Sequence, residues 1–336
     1  MKPASLTRGA SARADRSAGT RGRKATPQPL GSETGPAAVE LDVGVDPRAA
    51  QHWHVQHWHR QADPAPAGRE GARPPHAAAP TAQPPTVLLH GTGASVHSWR
   101  HLAPRLAAEA EVLAVDLPGH GRSGAAPPGQ ATMPAVAQAL WALLDRLGAG
   151  AATARWRLVG HSAGAAVAVQ MALQRPSAVT AVYGINAALL PFRGVMGEIA
   201  PRMARFLARQ PLVPHLVAFS ALDPSVVPLL LAGTGSRLDA EGRALYRQLA
   251  TQPRHVAGTL ALMAGWDLDA LQRALPGLRV PLHLLAAEGD RTVAPSAADD
   301  VASRVPGATV DRLPGAGHLA HEEDADAVAR WMARRA

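Results

Sequence analysis

The feature that most constrains this sequence is a Gly-x-Ser-x-Gly pentapeptide at residues 160–164. A short apolar run, Leu158-Val159, precedes it and predicts a buried strand, and an alanine-rich run follows it and predicts a helix. A serine at such a turn is exposed at the carboxyl end of a sheet, and glycine on both sides removes side chains that would collide. The pattern therefore predicts a nucleophile elbow, formed by Ser162 with Gly160, His161 and Gly164.

Strand-like and helix-like segments alternate along the chain from Thr86 onward. This alternation is typical of an α/β protein with a mainly parallel sheet and helices on both faces. The predicted strands are 86–89, 112–115, 156–159, 179–185, 280–286 and 309–313, and the clearest helices are 99–110, 133–147 and 163–174.

A long interruption of this alternation is helical in character and rich in Leu, Pro, Arg and Met. Because it starts where a sheet strand ends, we expect it to form a cap over the carboxyl edge of the sheet, above the serine. The predicted organisation is an arm at 1–50, a core at 51–186 and 266–336 with a Pro-rich loop at 61–85, and a helical cap inserted after the sixth strand at 187–265.

The net charge of +8 is concentrated at the N-terminus, where residues 1–24 carry seven Lys or Arg residues and one Asp. A basic segment without aromatic residues favours a disordered, solvated arm, which is compatible with weak peripheral contact with an anionic surface. We find no nucleic-acid-binding motif, no apolar run near the ~18 residues of a membrane span and no secretory signal, so a cytoplasmic protein is expected. The absence of cysteine excludes disulfides and thiolate chemistry.

Four histidines lie in the predicted strand 52–59. Alternation along a strand places His52 and His54 on one face and His57 and His59 on the other, so all four cannot converge on one ion. We therefore predict no metal site and no cofactor.

A serine nucleophile needs a histidine base and a carboxylate that orients it, both at the carboxyl ends of later strands. Asp290 follows the strand 280–286, and His318 follows the strand 309–313. The order Ser162, Asp290, His318 is the one expected for this fold. For the oxyanion we predict the backbone N–H groups of Thr92, in the segment His90-Gly91-Thr92-Gly93, and of Ala163.

Together these segments resemble the α/β-fold hydrolases over about residues 51–334. In several shorter segments the sequence is also similar to the magnesium chelatase accessory proteins of bacteriochlorophyll biosynthesis. This resemblance implies a role at magnesium insertion into protoporphyrin IX, with magnesium chelatase subunits as possible partners. Some relatives carry the triad acid after the strand that here ends at Asn186. The finer resemblance rests on residues 53–56, 90–94, 98–100, 183–192 and 266–268.

Three functions follow from these observations. The first is a serine hydrolase-fold protein that serves tetrapyrrole magnesium insertion; the second is a hydrolase of carboxylic esters or C–C bonds in a small aromatic or apolar substrate. The third is a non-catalytic tetrapyrrole-binding or scaffold protein. The predicted cap has a net positive charge, and its arginines either bind a carboxylate-bearing apolar ligand or are solvated. The cap arginines are Arg193, Arg202, Arg205, Arg209, Arg237, Arg243, Arg247 and Arg254.

Overall fold

The computed structural model describes most of the core and much of the predicted cap. The described residues are 39–44 (backbone only), 52–60, 83–147, 155–191, 203 and 205–335. Most of the predicted arm and of the Pro-rich loop lies outside them, as do cap residues 192–202.

An eight-stranded sheet forms the centre of the fold, in the order β1-β2-β4-β3-β5-β6-β7-β8. The pairs β1–β2 and β2–β4 are antiparallel and all other pairs are parallel. The strands are β1 Val39–Gly44, β2 His52–Trp58, β3 Thr86–Leu89, β4 Val112–Val115, β5 Trp156–His161, β6 Val179–Ile185, β7 Leu282–Ala287 and β8 Thr309–Leu313.

Every residue of β3, β4 and β5 is buried, as expected for parallel strands covered on both faces. In the register of the sheet Leu89 pairs with Gly160, and His161 pairs with Ile185. The carboxyl ends of β3, β5 and β6 therefore lie level, and the loops that follow them meet at one edge.

Helices cover both faces of the sheet. Helix α2, Met133–Arg146, and helix α3, Ala163–Gln174, pack in one apolar cluster, and the Trp141 indole donates a hydrogen bond to the Met171 carbonyl (3.1 Å). Helix α1, Leu102–Leu106, lies in a second cluster with the C-terminal helix Ala325–Ala333. The predicted α/β class, with a mainly parallel sheet between two helical layers, is confirmed.

The described residues between β6 and β7 contain helices and no strand. Asp239 and Asp267 cap two of these helices by accepting hydrogen bonds from the Gly242 and Ala270 N–H groups (2.7 and 2.8 Å). The helices are Val213–Ser220, Val226–Gly233, Ala240–Ala250, Pro253–Gly265 and Leu268–Ala274.

Two local predictions differ from the structure. Strand β1 lies inside the predicted arm, where Val39-Glu40-Leu41-Asp42-Val43 alternates apolar and polar residues and pairs with β2. The predicted helix 99–110 is replaced by a short 3₁₀ turn, Val96–Trp99, followed by α1, and the Val96 N–H at the start of the turn donates to the buried carboxylate of Asp116 (2.7 Å).

Within the described part of the chain, none of the helices combines the length and the apolar character that a membrane span requires.

Candidate active site

Ser162 stands between β5 and α3 in a strained backbone conformation, with φ 50° and ψ −114°. A Cβ at Gly160 would lie 2.3 Å from the Ala165 nitrogen, and one at Gly164 would lie 2.0 Å from the Leu89 carbonyl oxygen. Both collisions are with backbone, which cannot move aside. The two glycines are therefore required by the close approach of β3 and α3 to the turn, as the elbow pattern predicts.

Three hydrogen bonds hold the strained serine. Its N–H donates to the Ile185 carbonyl (3.0 Å), and its carbonyl accepts from the N–H groups of Ala165 and Ala188 (3.1 Å each). The residue is buried, at 8% exposure, and its hydroxyl has no hydrogen-bond partner among the described residues. The backbone is thus fixed while the hydroxyl is not engaged by a neighbouring group.

Asp290 and His318 form a buried pair. The His318 Nδ1–H donates to Asp290 Oδ2 (2.8 Å), and the imidazole and carboxylate side chains are 8% and 1% exposed. The other carboxylate oxygen accepts from the N–H groups of Thr292 and Val293 (2.7 and 3.0 Å). The bond from His318 Nδ1–H to Asp290 fixes the tautomer of the ring in which Nε2 carries the free lone pair.

The loop that carries His318 is fastened to the elbow. His161 Nε2–H donates to the His318 carbonyl (2.8 Å), and the two rings lie 4.7 Å apart. Asn186 donates from Nδ2 to the carbonyls of Gly317 and His318 (3.0 and 2.9 Å), and its Oδ1 accepts from Ala287 N–H (2.7 Å). Asn186 therefore links β7 to the histidine loop, a role that the sequence did not indicate.

The segment after β3 lies against the elbow. A Cβ at Gly91 would lie 2.6 Å from His161 Nδ1 and 3.3 Å from Ser162 Cβ, so Thr92 follows a residue in direct contact with the serine. Thr92 is exposed and Ala163 is buried. Their backbone N–H groups have no hydrogen-bond partner among the described residues, as donors for an oxyanion require.

His255, from the cap helix Pro253–Gly265, supports this segment. Its Nε2–H donates to the Gly93 carbonyl (3.1 Å), and its Nδ1 accepts from Gly121 N–H (3.1 Å). The His90 ring, directly after β3, donates from Nδ1 to the Gly91 carbonyl (2.8 Å) and accepts at Nε2 from Leu117 N–H (2.9 Å). Two neutral imidazoles thereby fix the backbone on which the predicted oxyanion donors lie.

Burial shifts the pKa values of several groups around the site toward their neutral forms. Desolvation lowers the pKa of His90 and of His321 to about 3 and that of His255 to about 4, and it holds the pKa of His161 well below its usual value. Desolvation also raises the pKa of Asp116 to about 7, although its oxygens accept from the Val96 and Arg122 N–H groups. The histidines therefore act as uncharged hydrogen-bonding groups at neutral pH.

A cap segment lies directly on the two loops of the Asp–His pair. The Thr234 carbonyl accepts from Arg291 N–H (3.2 Å) and His318 N–H (3.3 Å), and Ser236 Oγ accepts from Leu319 N–H (2.8 Å). A Cβ at Gly317 would lie 2.3 Å from the Gly235 carbonyl carbon. The turn between two cap helices is thus part of the wall of the site.

A buried ion pair beside the histidine loop was missed at the sequence level. Arg100 Nη1 donates to Glu322 Oε2 (2.5 Å), and the Tyr246 hydroxyl donates to the other carboxylate oxygen (2.7 Å). Burial raises the pKa of Glu322 to about 7. The partners are 222 and 76 residues apart along the chain, so no local pattern could have indicated them.

The histidines of the predicted strand 52–59 lie toward opposite ends of β2. The His54 carbonyl accepts from Asp116 N–H (3.0 Å) at the carboxyl end of β4, whereas His57 and His59 both contact the Glu111 carboxylate just before β4 begins. The prediction that there is no metal site did not consider this carboxylate. Among the described residues, His57, His59 and Glu111 are the one group of three or more His, Cys, Asp or Glu side chains close enough to share a metal ion.

The described cap arginines are at least partly exposed to solvent, and the guanidinium of one of them, Arg254, donates to the Gly121 carbonyl of the core (2.6 Å). Arg205, Arg209, Arg237, Arg243, Arg247 and Arg254 are all exposed, while Arg193 and Arg202 lie outside the described residues. Arg243 and Arg247 border a groove of about 530 Å³ on the outer side of the cap. Its other lining residues are Leu222, Pro224, Pro228, Ala240, Ala244, Gln248 and Thr251.

The strand order, the turn at Ser162 and the Asp290–His318 pair are those of the alpha/beta hydrolase fold, and the comparison with known families gives the same fold. The chain belongs to the alpha/beta hydrolase fold family, whose model matches residues 84–325. It is 43% identical over 247 residues to the magnesium-chelatase 30 kDa subunit of Rhodobacter capsulatus, covering 74% of this chain and 84% of that protein. The resemblance to the magnesium chelatase accessory proteins is thereby confirmed.

One further relative and one solved structure of similar fold are named as esterases. The chain is 30% identical over 253 residues to a pimeloyl-[acyl-carrier protein] methyl ester esterase of Aromatoleum aromaticum, covering 72% of this chain and 95% of that protein. The solved structure of a thermophilic esterase from Thermogutta terrifontis aligns with a TM-score of 0.66 at 22% identity, covering 89% of this chain and 98% of that chain. At that identity the structural likeness supports the fold alone.

Proposed function

We propose that this protein is a serine hydrolase of the alpha/beta hydrolase fold that serves magnesium insertion into a tetrapyrrole in bacteriochlorophyll biosynthesis. The observation that carries the catalytic part is the 2.8 Å bond between His318 and Asp290 in loops fastened to the strained Ser162 elbow. The part concerning the pathway rests on the 43% identity to the magnesium-chelatase 30 kDa subunit.

In the proposed reaction Ser162 Oγ attacks an acyl carbon of the substrate. His318 Nε2 takes the hydroxyl proton, and Asp290 stabilises the imidazolium that forms by accepting from Nδ1–H. Negative charge develops on the carbonyl oxygen, which accepts from the N–H groups of Thr92 and Ala163. His318 then protonates the leaving group, and water releases the acyl group from the serine by the same route.

Two features of the site support this chemistry. The serine backbone is held by three hydrogen bonds in a conformation that most residues avoid, so its hydroxyl is placed before substrate binds. One of the two oxyanion donors, the Ala163 N–H, lies where α3 begins, and the partial positive charge of a helix N-terminus favours an oxyanion there.

A non-catalytic tetrapyrrole-binding role is favoured by a different observation, the outer groove of the cap. The groove has a volume of about 530 Å³, and its lining combines the apolar residues Leu222, Pro224 and Pro228 with Arg243 and Arg247. Two exposed guanidinium groups suit two propionate groups. A hydrolase acting on a small ester outside this pathway is favoured by the likeness to the methyl ester esterase.

Complementation in a phototrophic bacterium that lacks its own copy of this gene separates these functions. The proposed function predicts that wild-type protein restores bacteriochlorophyll and that Ser162→Ala does not. Rescue by Ser162→Ala with failure of Arg243→Ala/Arg247→Ala would favour the binding role. No pigment defect, combined with turnover of aryl esters by the purified protein, would defeat the pathway assignment.

Porphyrin binding gives an independent measurement in vitro. If the cap groove holds a tetrapyrrole, added protein should shift the Soret band of protoporphyrin IX, and salt should weaken the binding. Loss of the shift in Arg243→Ala/Arg247→Ala, with retention in Arg254→Ala, would locate the ligand in the groove. An unchanged Soret band at all protein concentrations would exclude it.

A further inference from the structure

A cluster of two histidines and a glutamate lies at the end of the sheet opposite to Ser162, where β2 ends and β4 begins. His57 Nε2 lies 2.6 Å and His59 Nδ1 lies 3.2 Å from Glu111 Oε2. The two imidazole centroids are 4.0 Å apart. Two ring nitrogens from one strand therefore face the same carboxylate oxygen from the turn before the neighbouring strand.

The backbone fixes this arrangement. His57 is the residue opposite Leu113 in the β2–β4 ladder, which sets the distance between the histidine strand and the turn that carries Glu111. The second carboxylate oxygen accepts from Arg60 N–H (2.9 Å), which holds the carboxylate with Oε2 toward both rings. Burial raises the pKa of Glu111, but the hydrogen bonds from Arg60 N–H and His57 bring it below its ordinary value, so the carboxylate is ionised.

The distances suit one metal ion. One ligand atom from each residue lies within 4.8 Å of the other two, whereas tetrahedral ligands at about 2.0–2.1 Å from an ion stand roughly 3.3 Å apart. Small side-chain rotations would bring the three atoms to that spacing, with each imidazole binding the ion through the nitrogen that faces the carboxylate and carrying its proton on the other nitrogen. The side chains of His57, His59 and Glu111 are 22%, 62% and 44% exposed, so the site is open to solvent water as a fourth ligand.

We propose that His57, His59 and Glu111 form a binding site for a divalent transition-metal ion of the Zn²⁺ class. Imidazole nitrogen with one carboxylate is a ligand set that Zn²⁺ accepts, whereas Mg²⁺ prefers six oxygen ligands. The site is thus unsuited to the ion inserted in the proposed pathway. It does not depend on the proposed function, since none of its residues belongs to the Ser162 site.

The consequence of binding is a cross-link between β2 and the turn before β4. Because the three ligands are brought together only in the folded protein, binding raises the melting temperature. Mg²⁺ should not raise it through this site.

Equilibrium dialysis of the full-length, tag-free protein against ZnCl₂ tests the proposal. We expect one Zn²⁺ per chain, unaffected by millimolar MgCl₂, and a weakening of at least about 10-fold in His59→Ala and in Glu111→Gln. His59 is largely exposed, so its variant should retain the fold, which circular dichroism checks. His215→Ala, at an exposed histidine of the cap, is the matched control and should bind as wild type.

Several results would overturn the proposal. These are the absence of saturable Zn²⁺ binding, binding that His59→Ala and Glu111→Gln leave unchanged, or equal weakening in His215→Ala. Displacement of Zn²⁺ by millimolar Mg²⁺ would show that the ion class is wrong.

Discussion

The buried histidines around the site should make the free energy of unfolding strongly dependent on pH. Desolvation lowers the pKa of each in the folded state, whereas in the unfolded chain each titrates near 6.5. Below pH 6.5 these histidines therefore bind protons in the unfolded chain but not in the folded protein. The free energy of unfolding falls as the pH falls toward the pKa values of the folded state. The group comprises His90, His97, His120, His161, His255 and His321.

Two buried carboxylates act in the opposite direction. Burial raises the pKa of Asp116 and of Glu322 to about 7, so the folded protein holds two protons near pH 5.5 that the unfolded chain has lost. Six histidines against two carboxylates leave roughly three to four more protons on the unfolded chain, which corresponds to about 4–5 kcal/mol of stability per pH unit. A domain stable by about 5–15 kcal/mol should then unfold within roughly two pH units below 6.5.

Urea titrations followed by tryptophan fluorescence at pH 7.5, 6.5 and 5.5 measure this slope. His321 is fully buried against Trp99 and His161, at ring distances of 4.5 and 4.4 Å, and neither of its nitrogens has a hydrogen-bond partner among the described residues. His321→Phe should therefore keep the ring packing and reduce the slope by about one proton, or roughly 1.4 kcal/mol per pH unit.

The exposed His215 provides the control, since His215→Gln should leave the slope unchanged. A free energy of unfolding that stays flat between pH 6.5 and 5.5 would refute the reasoning. So would a slope in His321→Phe equal to that of the wild type, because it would mean that this imidazole is protonated in the folded protein.

Two further predictions concern the elbow and the segment that lies over it. Gly164→Ala should lower the free energy of unfolding by at least about 3 kcal/mol, because its Cβ would strike the Leu89 carbonyl at 2.0 Å. Gly233→Ala, whose Cβ meets nothing within 4 Å, should change it by less than about 1 kcal/mol; equal urea midpoints would contradict this. If His318 is the base, Ser236→Ala should lower kcat for an aryl ester about 10-fold with little change in KM, since the N–H of Leu319, the residue after His318, loses its acceptor. A change confined to KM in steady-state assays would argue against a positioning role.

The parts of the site that follow one another along a strand and its turn could be predicted from the sequence. The glycines flanking Ser162 are required by local sterics, which is why they indicate the turn after β5. Asp290 and His318 were chosen because each follows a later strand, and the structure joins them by a hydrogen bond; their roles stay a prediction. Helix α3, with its predicted bounds of 163 and 174, follows from its alanine-rich sequence and the proline after it.

The supporting contacts could not be predicted, because they join residues that are distant in sequence. Asn186 links β7 to the histidine loop over about 130 residues, and Arg100 reaches Glu322 over 222 residues. Both depend on strand register and cap placement, which composition does not determine. The alternation of apolar and polar residues in β1 does indicate a strand. It was not predicted because the surrounding segment is rich in Pro and Gly, which favours a linker.

The most direct test of the account is labelling of the purified protein with a fluorophosphonate probe, mapped by mass spectrometry. A serine activated by His318 and Asp290 should be labelled at Ser162 with a stoichiometry near one, and Ser162→Ala should abolish the adduct. His318→Ala and Asp290→Asn should slow labelling by about 10³-fold or more. Labelling that persists in Ser162→Ala, or a rate that His318→Ala leaves unchanged, would contradict the central claim that this serine is an activated nucleophile.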